Sequence, residues 1–427
     1  MVGITTIVVI AVAVMMLKVL LRLPSAPPVV AAERLPSDFI WGVSSSGIQS
    51  EGGQLDSNIH RLNASKVGAA KDAQDPYGTS VDFRHRYRED VALAKAIGIN
   101  TCRVGISWPR IEPRKGQFDP VELAYYDDLI RALKEAGIHP LITLNHFDYP
   151  GWVMDQGGWT NPETVNDFVS YSRRIAERYH ADSHWWLTFN EAAFFMMIDI
   201  GNTSPGWSGA RAIRRNLIQA HRLTYDTIHT IDRSAMVSSN IVWTGDTTFS
   251  RVLQKLTDWM FLDSVTDKMD YIGVDYYMSD ITDAGKGNAN WYPDPPGLYR
   301  ALRQLSTRFA TLPILIAEIG MATSDGRERA DGVKREVALR DTVYWAQRAH
   351  ADGIHLIGYM VWSLTDNFEW GSYSPRFGLY TVNVLKDPTL ARIPTAAVPA
   401  YRTIINDNGV TADYRPALSL AVTKVNN

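Results

Sequence analysis

Glu191, in the stretch WWLTFNEA, and Glu318, in PILIAEIG, each close a short run of apolar and β-branched residues and stand before a loop. Two carboxyl groups set at strand ends in this way can bracket one bound molecule. Such a pair cleaves an acetal, one group protonating the leaving oxygen while the other attacks or stabilises the cationic carbon. A single glutamate at a strand end is most often a solvated or ion-paired group; two in matched contexts point to catalysis.

Bringing them together requires strands whose ends converge. Strand-like runs lie at 39–44, 100–107, 139–146, 185–191, 235–242, 271–277, 313–320 and 357–364. Segments with a helical period separate them. Tyr87, Val91, Ala94 and Ile97 share one face before Gly98, and Tyr126, Ile130 and Leu133 repeat the spacing after an Asp119-Pro120 start signal. Further helices are expected at 162–180, 209–230, 251–267, 297–309 and 330–351. Strands that alternate with helices, without hairpin signals, predict an α/β fold: a single (β/α)8 TIM barrel preceded by an N-terminal hydrophobic segment. In such a barrel the reacting groups occupy the C-terminal strand ends, where both glutamates fall.

Composition narrows the chemistry. The chain has 427 residues, 45% hydrophobic and 21% charged, with a formal charge of -3, so no basic surface for nucleic acid is expected. The one cysteine, Cys102, rules out an intrachain disulfide and a cysteine-based zinc cluster. There is no glycine-rich phosphate loop, HExxH pair or GxSxG elbow, and neither a metal nor a cofactor is expected. Other polar and aromatic groups gather at the strand ends: Gln49, Arg103, His146, Asn190, Tyr277, Trp362, Glu369 and Trp370. Hydroxyl-matched polar groups beside stacking rings suit a carbohydrate or glycolipid substrate.

Residues 1–23 read as a transmembrane anchor or signal segment, 24–36 as a Pro- and Ala-rich linker, and 37–427 as the barrel domain. The apolar run at 3–23 predicts membrane association through a single N-terminal helix, on a side left open. Secretion after cleavage near PVVAAE at 28–33 is the alternative.

From about 38 to 384 the chain resembles glycoside hydrolase family 1, the retaining β-glycosidases, among them β-glucosidases. The matching stretches are FIWGVSSSGIQSEGG, CRVGISWPRIEP, LITLNHFDYPGW, TFNEA, DYIGVDYY, IAEIG and WSLTDNFEWGSYSPRFGLYTVN, in family order. The resemblance implies Glu191 as acid/base and Glu318 as nucleophile. It implies Asn190 on the sugar 2-hydroxyl and Gln49, His146, Glu369 and Trp370 on the other glycone hydroxyls. Trp362 becomes the stacking platform, and Arg103 and Tyr277 the groups that bond the nucleophile and hold it ionised. A family member can also pass the sugar to a lipid acceptor, or bind sugars without catalysis. Transfer on glycolipids and non-catalytic binding are therefore the alternatives to hydrolysis.

Three positions depart from the family pattern. Ala192 replaces the proline after the acid/base, Ala317 and Ile319 flank the nucleophile in place of Thr and Asn, and Asp275 stands where the family carries Asn. The extra carboxyl group at Asp275 is expected to raise the pKa of Glu318 or to alter sugar preference.

Overall fold

In the computed structural model, which describes residues 26–53, 55–67, 75–203, 206–277 and 291–418, apolar runs form the staves of one barrel. The strands are β1 (Ile40–Ser44), β2 (Thr101–Gly105), β3 (His139–Thr143), β4 (Trp185–Leu187), β5 (Met236–Ser238), β6 (Asn240–Val242), β7 (Ile272–Tyr276), β8 (Ile314–Ile319) and β9 (Leu356–Trp362). All pair in parallel, with β1 between β2 and β9. β5 pairs with β4 and β6 with β7, so these two pieces are one stave interrupted at Ser239, and the ring closes through the chain itself. This is a (β/α)8 barrel, and all eight strand-like runs of the sequence lie in it.

Side chains alternate across the barrel wall. Ile40, Leu141, Leu187, Tyr271, Leu315 and Met360 pack together inside the barrel, while Val43, Val104, Ile142, Val274 and Ile316 face the surrounding helices. The inner plug carries no polar group in need of water, so the floor of the barrel stays dry. Toward the C-terminal strand ends the inward positions include the buried polar groups Ser44, Arg103, Asn240 and Asp275.

Helix α1 (Phe83–Ile97) buries Tyr87, Val91, Ala94 and Ile97, the face read from the sequence, and ends at Gly98, whose φ of 95° suits glycine. In α2 (Pro120–Glu135) the Asp119 carboxylate accepts the N–H groups of Val121 and Glu122, with Pro120 in the first turn. α3 (Glu163–Tyr179), α4 (Gly206–Ile231) and α5 (Pro295–Arg308) match the expected helices to within three residues. α6 (Arg335–Ala351) begins five residues later than the sequence suggested. The helix expected at 251–267 is Thr248–Gln254, a π-helical stretch Lys255–Trp259, and Met260–Val265.

The hydrophobic segment 1–23 lies outside the described residues, so the expected anchor finds no support here. Among the described residues no helix is long and apolar enough to cross a membrane. The stretch read as a linker is tied to the barrel from Val30 onward. Tyr344 exchanges hydrogen bonds with the Val30 backbone, Gln347 donates to the carbonyl of Glu33, and Asn408 donates to those of Leu35 and Pro36.

Candidate active site

Strand β4 ends at Leu187, four residues short of Glu191. Glu191 itself has φ 42°, a left-handed conformation that costs on the order of 1–3 kcal/mol for a non-glycine residue and stops a strand. Its backbone N–H is accepted by the Asn240 side chain at 3.0 Å, and that of Asn190 by the carbonyl of Asn145 at 2.8 Å. These two bonds hold the turn that presents Glu191. Asn240 reaches this position because Gly273 lies beside it: a Cβ there would stand 2.6 Å from that of Asn240.

Glu318 is placed by a break in register. On β8, Ile314, Ile316 and Ile319 face the helices while Leu315 and Ala317 face the barrel interior, so strict alternation would send Glu318 outward. The β7 partners run Val274 to Ile316 and then Asp275 to Glu318. The β9 partners run Tyr359 to Ile316 and then Val361 to Ile319. The extra residue of this bulge leaves Ala317 and Glu318 both pointing inward.

The carboxyl groups then meet. One oxygen from each of Glu191, Asp275 and Glu318 lies within 4.8 Å of the others. Arg103 Nη2 donates to Glu318, to Asn190 Oδ1 at 3.0 Å and toward His146 Nδ1 at 3.2 Å, and the Tyr277 hydroxyl donates to the second oxygen of Glu318. Arg103 is fully buried, and removing its anionic partner would leave an uncompensated charge costing about 3–5 kcal/mol. Three carboxyl groups this close resemble a cation site. Arg103 already supplies a positive charge at Glu318, however.

Burial divides the titrations. Burial raises Glu318 above the usual carboxylate range, and Arg103 and Tyr277 pull it back. Burial pushes Glu191 well above that range, and the charge on Glu318 adds to the effect. Glu318 is therefore the group that ionises first, leaving the proton on Glu191. Asp275 is also raised well above its ordinary value, by burial and then by Glu318 and Glu191. Of the two expected effects of Asp275, a raised Glu318 is not what the pair shows: Glu318 is among the causes that raise Asp275, which favours the protonated form of Asp275.

Around the pair lies a cavity of about 110 Å³ lined by all three of Glu191, Glu318 and Trp362, with Gln49, His146, Asn190, Tyr277, Glu369 and Trp370 in its wall. His146 stacks on Trp362 with ring centres 5.7 Å apart, and burial and the charge of Arg103 keep it neutral. Trp362 Nε1 donates to Glu369 at 2.8 Å, and burial raises the Glu369 carboxyl to about 7. The Gln49 amide donates to Asn367 Oδ1 at 3.2 Å. Trp370, 50% exposed, sits at the mouth with its ring 5.3 Å from Phe147 and 5.6 Å from Phe194. Every residue singled out from the sequence thus lines this cavity or bonds to a residue that does.

Sequence reasoning missed Asn240, Asn367 and the aromatic pair Phe147 and Phe194. Asn240 donates to Asn190 Oδ1 at 2.8 Å and to Asp275, in addition to accepting from Glu191. Its one signal was a lone amide within the apolar run AMVSSNIV. The buried Asp258, on the π-helical stretch, is also felt by Glu191 and raises it further; burial lifts Asp258 itself to about 7.

Parallel barrels that hold a carboxyl pair above an indole at their strand ends are a familiar scaffold for breaking glycosidic bonds. The protein is a glycoside hydrolase. The sequence profile described as "Glycosyl hydrolase family 1" matches residues 31–254 and 282–410, and the chain belongs to that family. It is 28% identical to beta-glucosidase A of Acetivibrio thermocellus, over 88% of this chain and 98% of the relative. It is 27% identical to a chloroplastic galactolipid galactosyltransferase of Arabidopsis thaliana, over 76% of this chain and 57% of the relative. Among solved structures, the beta-glucosidase from Thermotoga maritima in complex with deoxynojirimycin superposes with a TM-score of 0.77 at 25% identity, over 88% of this chain and 100% of that one.

Proposed function

We propose that the protein hydrolyses β-glucosides and closely related β-glycosides with retention, through a covalent glycosyl-enzyme on Glu318. The observation that carries this reading is the approach of the Glu191 and Glu318 carboxyl oxygens within 4.8 Å. Retaining enzymes hold their two carboxyl groups about 5–5.5 Å apart, whereas inverting enzymes leave about 6.5–9.5 Å for a water molecule.

In the first step an oxygen of Glu318 attacks the anomeric carbon while Glu191 protonates the bridging oxygen, and the aglycone departs as an alcohol. Forming the ester removes the charge on Glu318 that had helped keep Glu191 protonated. Glu191, now the stronger acid and ionised, takes a proton from water, whose oxygen attacks the same carbon and frees Glu318. Asn190 Oδ1 is occupied by Arg103 and Asn240, which leaves its amide nitrogen, 3.4 Å from His146 Nε2, to donate to the sugar 2-hydroxyl. Trp362 offers its face to the apolar side of the pyranose and Glu369 accepts from the distal hydroxyls.

A second reading is transfer of the glycosyl group to an acceptor hydroxyl on a lipid. The likeness to a galactolipid galactosyltransferase favours it, and the apolar run at 3–23 would hold such an enzyme beside its acceptor. Incubation with a 2-deoxy-2-fluoro-β-glucosyl donor tests the common step: a stable adduct on the Glu318 peptide by mass spectrometry is the expected result. Absence of labelling across gluco, galacto and fuco donors would leave only a binding role. Product analysis in excess water then separates free sugar from transferred sugar.

A further inference from the structure

Beside the catalytic cavity lies a second, larger one of about 410 Å³, within the range that accommodates small-molecule ligands. It contains neither catalytic carboxyl group. Its walls are mostly apolar, with Ile48, Ile59, Met197, Ile198 and Phe368 contributed by the segments after β1, β4 and β9. Gln49, Phe147 and Trp370 line both cavities, so a single partition of side chains separates them.

The few polar groups in the second cavity carry no charge near neutral pH. Burial, together with the charge of Arg110, lowers His60 to about 4. Tyr77 is held neutral by burial, and its hydroxyl accepts the N–H of Gly52. The Gln49 amide is engaged with Asn367 and the carbonyl of Phe368. His60 Nε2 and the Tyr77 hydroxyl keep some hydrogen-bonding capacity, but three neutral polar side chains are too few for a sugar's several hydroxyls and give an ion no counter-charge. An unbranched hydrocarbon is the chemistry that fits such walls.

We propose that this side cavity binds a linear alkyl or acyl chain carried by the substrate while its sugar occupies the catalytic cavity. The inference rests on the glycosidase reading and adds a substrate class to it: amphiphilic β-glycosides. The shared wall places the chain next to the groups that hold the sugar, at the end away from the scissile bond if it is attached to a distal hydroxyl, or folded back over Trp370 if it belongs to the aglycone.

Two substrate series distinguish these sources: n-alkyl β-glucosides from butyl to dodecyl, and p-nitrophenyl β-glucosides bearing acyl chains of the same lengths on the 6-hydroxyl. KM in one of the series is expected to fall about fourfold for each methylene that enters the cavity, with kcat little changed. Gly201→Trp supplies the control. Gly201 lines the cavity and an added Cβ there meets nothing within 4 Å, so an indole can be introduced at the cavity wall without a backbone clash. This variant should hydrolyse unsubstituted p-nitrophenyl β-glucoside normally and lose the dependence on chain length; Ile198→Asp, which sets a charge in the wall, should do the same. A flat series in both substrate sets, or a gain that survives both variants, would overturn the proposal while turnover of the aryl glucoside left the glycosidase reading intact. Were no aryl glycoside turned over, that reading would fail instead, and calorimetric binding of octyl β-glucoside to the wild-type and Gly201→Trp proteins would decide the side cavity by itself.

Discussion

The side-chain oxygen of Asn240 accepts the backbone N–H of Glu191 at 3.0 Å, while its amide nitrogen donates to Asn190 and Asp275. One buried amide on the fifth stave therefore supports Glu191, the residue before it and the third carboxyl group. It also holds Glu191 in a left-handed backbone conformation that the residue would not choose alone.

Asn240→Ala should lower kcat more than it raises KM, since the main loss is the aim of Glu191. Each buried partner left unsatisfied costs about 1–3 kcal/mol, so a fall in kcat of roughly 10- to 100-fold is expected, accompanied by a lower Tm. Steady-state kinetics on one aryl glucoside checks it; an unchanged kcat would show that the turn at Glu191 is held without Asn240.

Glu318→Ala should lower turnover by a factor on the order of 10⁴–10⁶, and azide should restore part of it with inverted product. Glu191→Ala should slow substrates with poor leaving groups by about 10²–10⁴ and spare dinitrophenyl glycosides, because only a basic leaving oxygen needs a proton. Equal losses on both substrate types would remove the acid role from Glu191.

The charge of Glu318 raises the pKa of Glu191. Glu318→Gln removes that charge and should lower the Glu191 titration, measured by NMR with a labelled glutamate side chain. An upward shift, or none, would mean that burial alone sets the proton on Glu191.

Glu369 is buried and titrates at about 7. A sugar that donates hydroxyls to it binds its ionised form, so binding weakens as pH falls through 7 and the carboxyl group takes up a proton. KM should therefore rise on the acid side of 7 in the wild type, and Glu369→Gln, with a higher KM throughout, should lose that dependence. The pH profiles of KM for the two proteins provide the test.

Burial and the charges of Glu318 and Glu191 raise Asp275 well above its ordinary value, which favours its protonated form. Asparagine has nearly the same shape as the protonated acid and can still accept from Asn240, so Asp275→Asn should hold kcat within about threefold, whereas Asp275→Ala, which strands the Asn240 donor, should cost about 1–3 kcal/mol of stability. If the two variants lost activity equally, a charge on Asp275 would be needed after all.

Much of this architecture is legible in the sequence. Short β-branched runs such as ILIAEI and TCRVG favour strands, the spacing of Tyr87, Val91, Ala94 and Ile97 fits a helix face, and their alternation points to a parallel α/β fold, the barrel among its forms. The residue types at the strand ends, and the motifs around them, were enough to single out Glu191 and Glu318, whose carboxyl groups the fold brings close together. Those signals are local: each depends on neighbours within a few positions of the chain.

The tertiary structure alone decided which way those groups point and what charge they carry. Period-two alternation turns Glu318 outward, and only the pairing of β8 with β7 and β9 reveals the bulge that turns it in. The support of Glu191 by Asn240 joins residues 49 positions apart, and the raised titration of Asp275 follows from burial among two other carboxyl groups contributed by different strands. A cavity such as the one behind Gln49 and Trp370 is bounded by segments from distant parts of the chain. Burial, register and enclosed space are properties of the packed assembly, and no local pattern of residues encodes them.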